Sequence, residues 1–161
     1  DGRPLTVLVS SWDVTWAVRS PEVDQNVSAV AAIPRVRAAL SQHQRQIGEQ
    51  YAHGHAGMDG IVMVGRDIGT VVLPDAPLKI YLDAPVVERA QRRFAELEKR
   101  GKTAAFAQVL ADMQARDRID SQRAIAPLRP AHDAHIISTA GLGVQEIVER
   151  IVVLAKVNGK Q

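Results

Sequence analysis

The chain has 161 residues, enough for one domain of ordinary size with a sizeable core, and its 46% hydrophobic and 24% charged residues argue against a disordered chain. Its net charge of +2, from 20 basic and 18 acidic residues, suits a local anion site better than a surface coated to hold nucleic acid. Zero Cys excludes disulfides, thiolate metal sites and cysteine nucleophiles, and the apolar stretches fall well short of the ~20 residues that span a bilayer, so a cytoplasmic protein is expected.

The chain opens at Asp1-Gly2-Arg3 without Met and enters a β-like run over 5–9. Ser20-Pro21-Glu22 is a helix start: a serine cap, proline at the first helical position and an acid in the first turn. Val23, Val27, Val30 and Ala31 follow at helical spacing, and Ile33 before Pro34 ends that helix. Pro34 opens the next, with Val36, Leu40 and Ile47 along one apolar stripe, and 51–60 is expected to be a loop. Trp12 and Trp16, four residues apart, are expected to pack in the core.

Gly60-Ile61-Val62-Met63-Val64 is a continuous apolar run bounded by glycines, the pattern of a strand buried on both faces. A second strand is expected over 78–82. Pro85 then opens a helix with Val87, Ala90, Phe94 and Leu97 inward, closed by Gly101. Another helix is expected over 104–118, with Phe106, Val109, Leu110 and Met113 inward, then a strand over 134–139 and a C-terminal helix marked by Val144, Ile147, Val148, Ile151 and Leu154. Strands alternating with helices in this way imply an α/β fold with a mainly parallel sheet.

Arginine outnumbers lysine fifteen to five, and eight of the arginines lie between Arg89 and Arg129. Arginine presents a permanently charged planar fork suited to phosphate, so this concentration points to a local anion site. Gly65-Arg66-Asp67-Ile68-Gly69-Thr70 follows an expected strand, where parallel sheets bind ligands: Arg66 offers a phosphate fork and Asp67 an acceptor. An ordinary loop with a surface ion pair explains the same residues. Arg89, Arg92 and Arg93 share the polar face of their helix with Glu88 and Glu96, which reads as a solvated face or as an anion site. Arg116, Asp117, Arg118, Asp120, Arg123 and Arg129 form a second group. They make either helical ion pairs or a segment that closes over phosphates. The five histidines, His43, His53, His55, His132 and His135, lack further metal ligands in register, and no Gly-x-Ser-x-Gly elbow is present.

Taken in order, these pieces resemble bacterial cytidylate kinases, the nucleoside monophosphate kinases that phosphorylate CMP and dCMP. The resemblance rests on Asp13-Val14-Thr15, Arg19-Ser20-Pro21-Glu22-Val23, Val27-Ser28-Ala29-Val30-Ala31, Pro34-Arg35-Val36-Arg37, Gly65-Arg66-Asp67-Ile68-Gly69-Thr70-Val71-Val72, Pro74-Asp75-Ala76-Pro77-Leu78-Lys79-Ile80, Arg116-Asp117, Asp120-Ser121, Arg123-Ala124, Ala126-Pro127-Leu128 and Asp133-Ala134. It covers about 13–154. It implies a P-loop-type parallel sheet flanked by helices but lacking the first strand and phosphate-loop helix. It also implies one partial domain over 1–161, with a nucleotide-acceptor region over about 1–60 and a lid with its following arginine-rich segment over about 84–130.

By the same resemblance, Ser28, Arg37 and Asp67 read cytosine, Arg66 and Arg123 hold the acceptor phosphate, and Asp120 with Arg116 surrounds ribose and phosphate. Arg89, Arg92 and Arg93 close over ATP. Arg66, Arg89, Arg93 and Arg116 are the expected catalytic residues. The implied small molecules are CMP or dCMP, ATP and Mg²⁺, with no resident metal ligands, nucleic acid or membrane as partners. A full-length protein is expected to be a monomer, whereas the chain as given can depend on a partner.

Three departures accompany the resemblance. No Gly-x-x-x-x-Gly-Lys-Ser/Thr occurs, so the loop that cradles the ATP phosphates is expected N-terminal to residue 1, and the chain alone is expected to be inactive. Val64 stands before Gly65-Arg66-Asp67 where the family usually has an acid, and Trp16 replaces a usually polar position. A non-catalytic CMP-binding relative working within a larger assembly is the alternative reading, and a general anion or nucleic-acid binder a weaker third.

Overall fold

The computed structural model describes residues 6–52 and 60–158. The expected loop over 51–60, with His53 and His55, falls largely outside them; Tyr51 and Ala52 still belong to a helix. The chain divides into two compact units, Asp1–Ala39 and Leu40–Gln161.

The first unit opens with a hairpin in which β1 (Leu8–Val9) pairs antiparallel with β2 (Trp12–Asp13), Val9 opposite Trp12. Its two-residue turn holds Ser10 and Ser11 at φ of 48° and 73°, a left-handed backbone usually supplied by Asn and Gly. Thr15 is buried beneath the hairpin, where its hydroxyl accepts from Val7 N at 2.8 Å, and the Asp13 carboxylate accepts from Thr15 N at 2.9 Å. Trp12 is 78% exposed and Trp16 is exposed as well, contrary to the expected core packing. A two-stranded ribbon has too little area to bury an indole on its own.

Helix α1 (Pro21–Ala32) begins as its sequence dictates, with Ser20 Oγ accepting from Val23 N and Pro21 at the first position. It ends at Ile33, held extended at φ −66° and ψ 120°, because the ring of Pro34 disfavours a helical residue before it. Val23, Val27 and Val30 are exposed, and Ser28 is buried. Helix α2 (Pro34–Ala52) follows, and within it Leu40 is exposed while Val36 and Ile47 are half-buried.

In the second unit, β3 (Ile80–Asp83) and β4 (His135–Ser138) form a parallel pair with Ile80 opposite His135 and Leu82 opposite Ile137. His135 N donates to Lys79 O and Thr139 N to Asp83 O, extending the ladder at both ends. Between the strands run α3 (Val86–Lys99) and α4 (Phe106–Gln122), and α5 (Val144–Asn158) follows β4. This is the expected mixed α/β arrangement with a parallel sheet. The core is built from small and aliphatic side chains: Val72, Ala84, Ala90, Val109, Ala126 and Ile137. Helices α3 and α4 pack together, with Phe94 and Phe106 edge to face at 6.0 Å.

The run 60–64 forms no strand, and Val62 and Val64 are 92% and 93% exposed. An apolar sequence supplies side chains to bury; a ladder also needs a neighbouring backbone, and among the described residues none pairs here. Helix α4 also runs four residues beyond the expected end at 118, so Asp120 stands on the helix.

Candidate functional site

The site is built where three segments of the second unit meet: the stretch that follows Gly65, the first half of α3, and the C-terminal half of α4. Arg66 and Asp67 precede a π-helical turn, Ile68–Val72, whose first carbonyl, that of Asp67, accepts from Val71 N at 2.9 Å and Val72 N at 3.2 Å. Wide turns of this kind recur beside functional residues. Asp67 itself is buried.

Asp120 is the centre. Its side chain is only 2% exposed, and three arginines face it: Arg66 Nη1 is 2.7 Å from Oδ2, Arg123 Nη1 is 3.5 Å from Oδ1, and Arg116 Nε is 3.9 Å from Oδ2. Arg123 is almost as buried, at 6% exposed, and its Nε donates to Ala126 O. That carbonyl is turned inward because Ala126 adopts φ of 52°, and Leu128 N donates to Asp120 O at 2.8 Å, folding the segment after α4 back onto the helix end.

Asp117, one turn earlier, accepts a fork from Arg89: Nη1 at 3.2 Å and Nη2 at 2.6 Å, while Arg89 Nε donates to Ala84 O. Arg66 Nη1 also lies 3.9 Å from Asp117 Oδ1. The hydrogen bonds that Arg89 donates to the Asp117 carboxylate hold its guanidinium above its ordinary pKa, so it stays charged. Four arginines thus face two aspartates, leaving a local excess of two positive charges. Arg116 Nε is a buried donor without a hydrogen bond. A partly desolvated cluster with surplus donors is suited to an anion with several oxygens.

Arg66, Arg89, Arg116, Asp120 and Arg123 are therefore brought together. Arg92 and Arg93 are not: Arg92 donates to Thr139 O at 2.6 Å and to Thr139 Oγ1 at 3.2 Å and pairs with Glu88, while Arg93 pairs with Glu96 at 2.9 Å. Ser28 and Arg37 belong to the first unit, where Ser28 is buried and Arg37 Nε donates to Ala31 O at 2.8 Å.

Sequence reasoning underrated Asp117, whose only signal was its place beside Arg116, and missed two further ties. Lys79, almost wholly buried, donates to Asp133 Oδ2 at 2.6 Å. Arg45 reaches the end of the π-turn, a contact no local pattern announces. Among the described residues no three histidine or carboxylate side chains group as a metal shell, and Val64 offers no ligand atom.

A family model for cytidylate kinase matches residues 3–157. A cytidylate kinase of Desulfitobacterium hafniense is 52% identical over 148 residues, covering 92% of this chain and 60% of that protein. A cytidylate kinase of Herpetosiphon aurantiacus is 46% identical over 160 residues, covering 99% and 65%. A bifunctional pantoate ligase/cytidylate kinase of a Synechococcus strain is 48% identical over 154 residues, covering 95% of this chain and 28% of that protein. The chain thus spans under two thirds of the length of these relatives. With the arginine–aspartate cluster lying inside a match that takes in nearly every residue, the chain belongs to the cytidylate kinase family.

Proposed function

We propose that this chain carries the acceptor-nucleotide and lid portions of an enzyme that transfers the γ-phosphoryl group of MgATP to CMP or dCMP, giving CDP or dCDP. The observation that carries this reading is the meeting of Arg66, Arg116 and Arg123 on buried Asp120. Asp120 neutralises part of the charge and orients three guanidinium groups, whose remaining donors would take the oxygens of the acceptor phosphate.

An oxygen of that phosphate attacks the γ-phosphorus while the bond to the β–γ bridging oxygen breaks, and ADP leaves. Arg66 and Arg116 would stabilise charge on the equatorial oxygens, and Arg89, with Arg92 and Arg93 on the same helix, would serve the donor phosphates as the lid closes. Arg89 must first exchange Asp117 for phosphate. The Mg²⁺ ion would arrive bound to the ATP phosphates and neutralise part of their charge. Asp67, with Ser28 and Arg37, would read the base: a carboxylate accepts from the cytosine amino group and repels the carbonyl that uracil presents at the same position. Residues 1–60 would serve the acceptor and 84–130 the lid.

The test is calorimetric titration of the 161-residue chain with CMP and UMP, with a coupled ATPase assay alongside. Saturable binding that favours CMP, abolished by Arg66→Met, is expected. Negligible CMP-dependent ATP consumption is expected from these 161 residues alone, since they contain no phosphate loop. Equal binding of CMP and UMP, or salt-sensitive RNA binding without CMP preference, overturns the reading.

A further inference from the structure

The π-turn that follows Arg66 and Asp67 ends on two carbonyls, those of Val71 and Val72, that have no helical partner. Val72 is wholly buried, so water is a poor substitute. Both carbonyls are taken by one side chain of α2: Arg45 Nη2 donates to Val71 O at 2.7 Å and Arg45 Nε to Val72 O at 3.0 Å.

Each of the two peptide groups is bonded at both ends. The group joining Val71 to Val72 gives its carbonyl to Arg45 and its N–H to Asp67 O, at 3.2 Å. The group joining Val72 to Leu73 gives its carbonyl to Arg45 and its N–H to Ile68 O, at 2.7 Å. Arg45 is thereby one peptide group away from the carbonyl of Asp67. One turn along α2, Gly48 keeps the helix close, because a Cβ there would stand 2.9 Å from the Leu73 side chain.

We infer that Arg45 is a positioning residue for acceptor-nucleotide recognition. By capping the end of the π-turn it fixes the Asp67 peptide, and with it the direction in which Arg66 and Asp67 leave the chain. The inference rests on the proposed roles of Arg66 and Asp67. Lysine cannot replace it fully, since one ammonium does not reproduce the planar fork that holds two successive carbonyls.

The experiment titrates CMP and UMP into the protein and its Arg45→Met, Arg45→Lys and Arg66→Met variants, with Gln46→Ala as a control on the same helix, and follows amide hydrogen exchange at Val72 and Leu73. Arg45→Met is expected to raise the CMP dissociation constant about tenfold, the size of a lost charge-assisted bond, to narrow the CMP-over-UMP ratio, and to speed exchange at both amides. Arg45→Lys recovers part of the loss, and Gln46→Ala changes nothing. Wild-type affinity and ratio in Arg45→Met, while Arg66→Met abolishes binding, overturns the inference and leaves the proposed function standing. If Arg45→Met does not fold, Arg45→Lys decides: a rise of about threefold with a narrower ratio supports the role, and wild-type values overturn it. A wild-type protein that binds no CMP overturns the proposed function and this inference together.

Discussion

Arg66 and Asp120 lie 54 positions apart in the chain, yet Nη1 of one is 2.7 Å from Oδ2 of the other, and Asp120 is the more deeply buried partner. The pair joins the segment before the π-turn to the last turns of α4. A buried carboxylate among three guanidinium groups is held by their charge, and the three arginines share that one carboxylate as a partner. The proposed nucleotide recognition and the fold therefore draw on the same residue.

Asp120→Asn keeps the shape and removes the charge. It removes the charge that Asp120 sets against Arg123, the most buried of the three. Breaking a buried pair costs on the order of 3–5 kcal/mol; the exposure of Arg66 and Arg116 places this variant at the lower end, about 3 kcal/mol. Urea denaturation monitored by circular dichroism measures the change. A midpoint equal to wild type would show that the arginines do not need this carboxylate to remain folded.

Arg123→Met tests the phosphate grip. The methionine fills much of the aliphatic volume but donates nothing, so CMP binding should weaken by at least ~1.5 kcal/mol. Cytidine, which has no phosphate, should lose little affinity in the same variant. An unchanged dissociation constant for CMP would reject the role, and equal losses for CMP and cytidine would assign the residue to folding.

The Lys79–Asp133 pair gives a pH dependence of known sign. The hydrogen bond from Lys79 holds the Asp133 carboxyl below its ordinary value of 3.8. A carboxyl depressed on folding contributes stability that is fully present above the unfolded value and is lost as pH falls through the folded one. The stability difference between wild type and Asp133→Asn should therefore be constant above about pH 5 and shrink below about pH 4. A difference that grows on acidification would contradict the pairing.

The hairpin turn should be open to improvement. Ser10 and Ser11 both sit at positive φ. Asn and Gly adopt that backbone at lower cost, so Ser10→Asn with Ser11→Gly should stabilise the first unit by roughly 0.5–1 kcal/mol. The check is the thermal unfolding midpoint, which should rise; a fall would mean that the serine side chains contribute bonds of their own.

Local chemistry made several elements legible in advance. The Ser20 cap, Pro21 and the Ile33-Pro34 stop bound α1, and Pro85 and Gly101 flank α3, because caps and prolines act on backbone within a few residues of themselves. The strand run at 60–64 shows the limit. Its apolar pattern is intact, but pairing depends on a second backbone that no pattern within those residues can guarantee.

By itself, the sequence determined where α1 and α3 begin and end, that β3 and β4 belong to a parallel sheet, and which arginines and aspartates could serve an anion. Only the tertiary structure decided which of them meet: Arg66, Arg89, Arg116 and Arg123 gather on Asp117 and Asp120, whereas Arg92 turns to Thr139 and Arg93 to Glu96. The reason is physical. Capping, turn chemistry and periodicity act over a few residues, while the partner of a guanidinium group is set by whichever oxygens the packing of distant segments brings within about 3 Å.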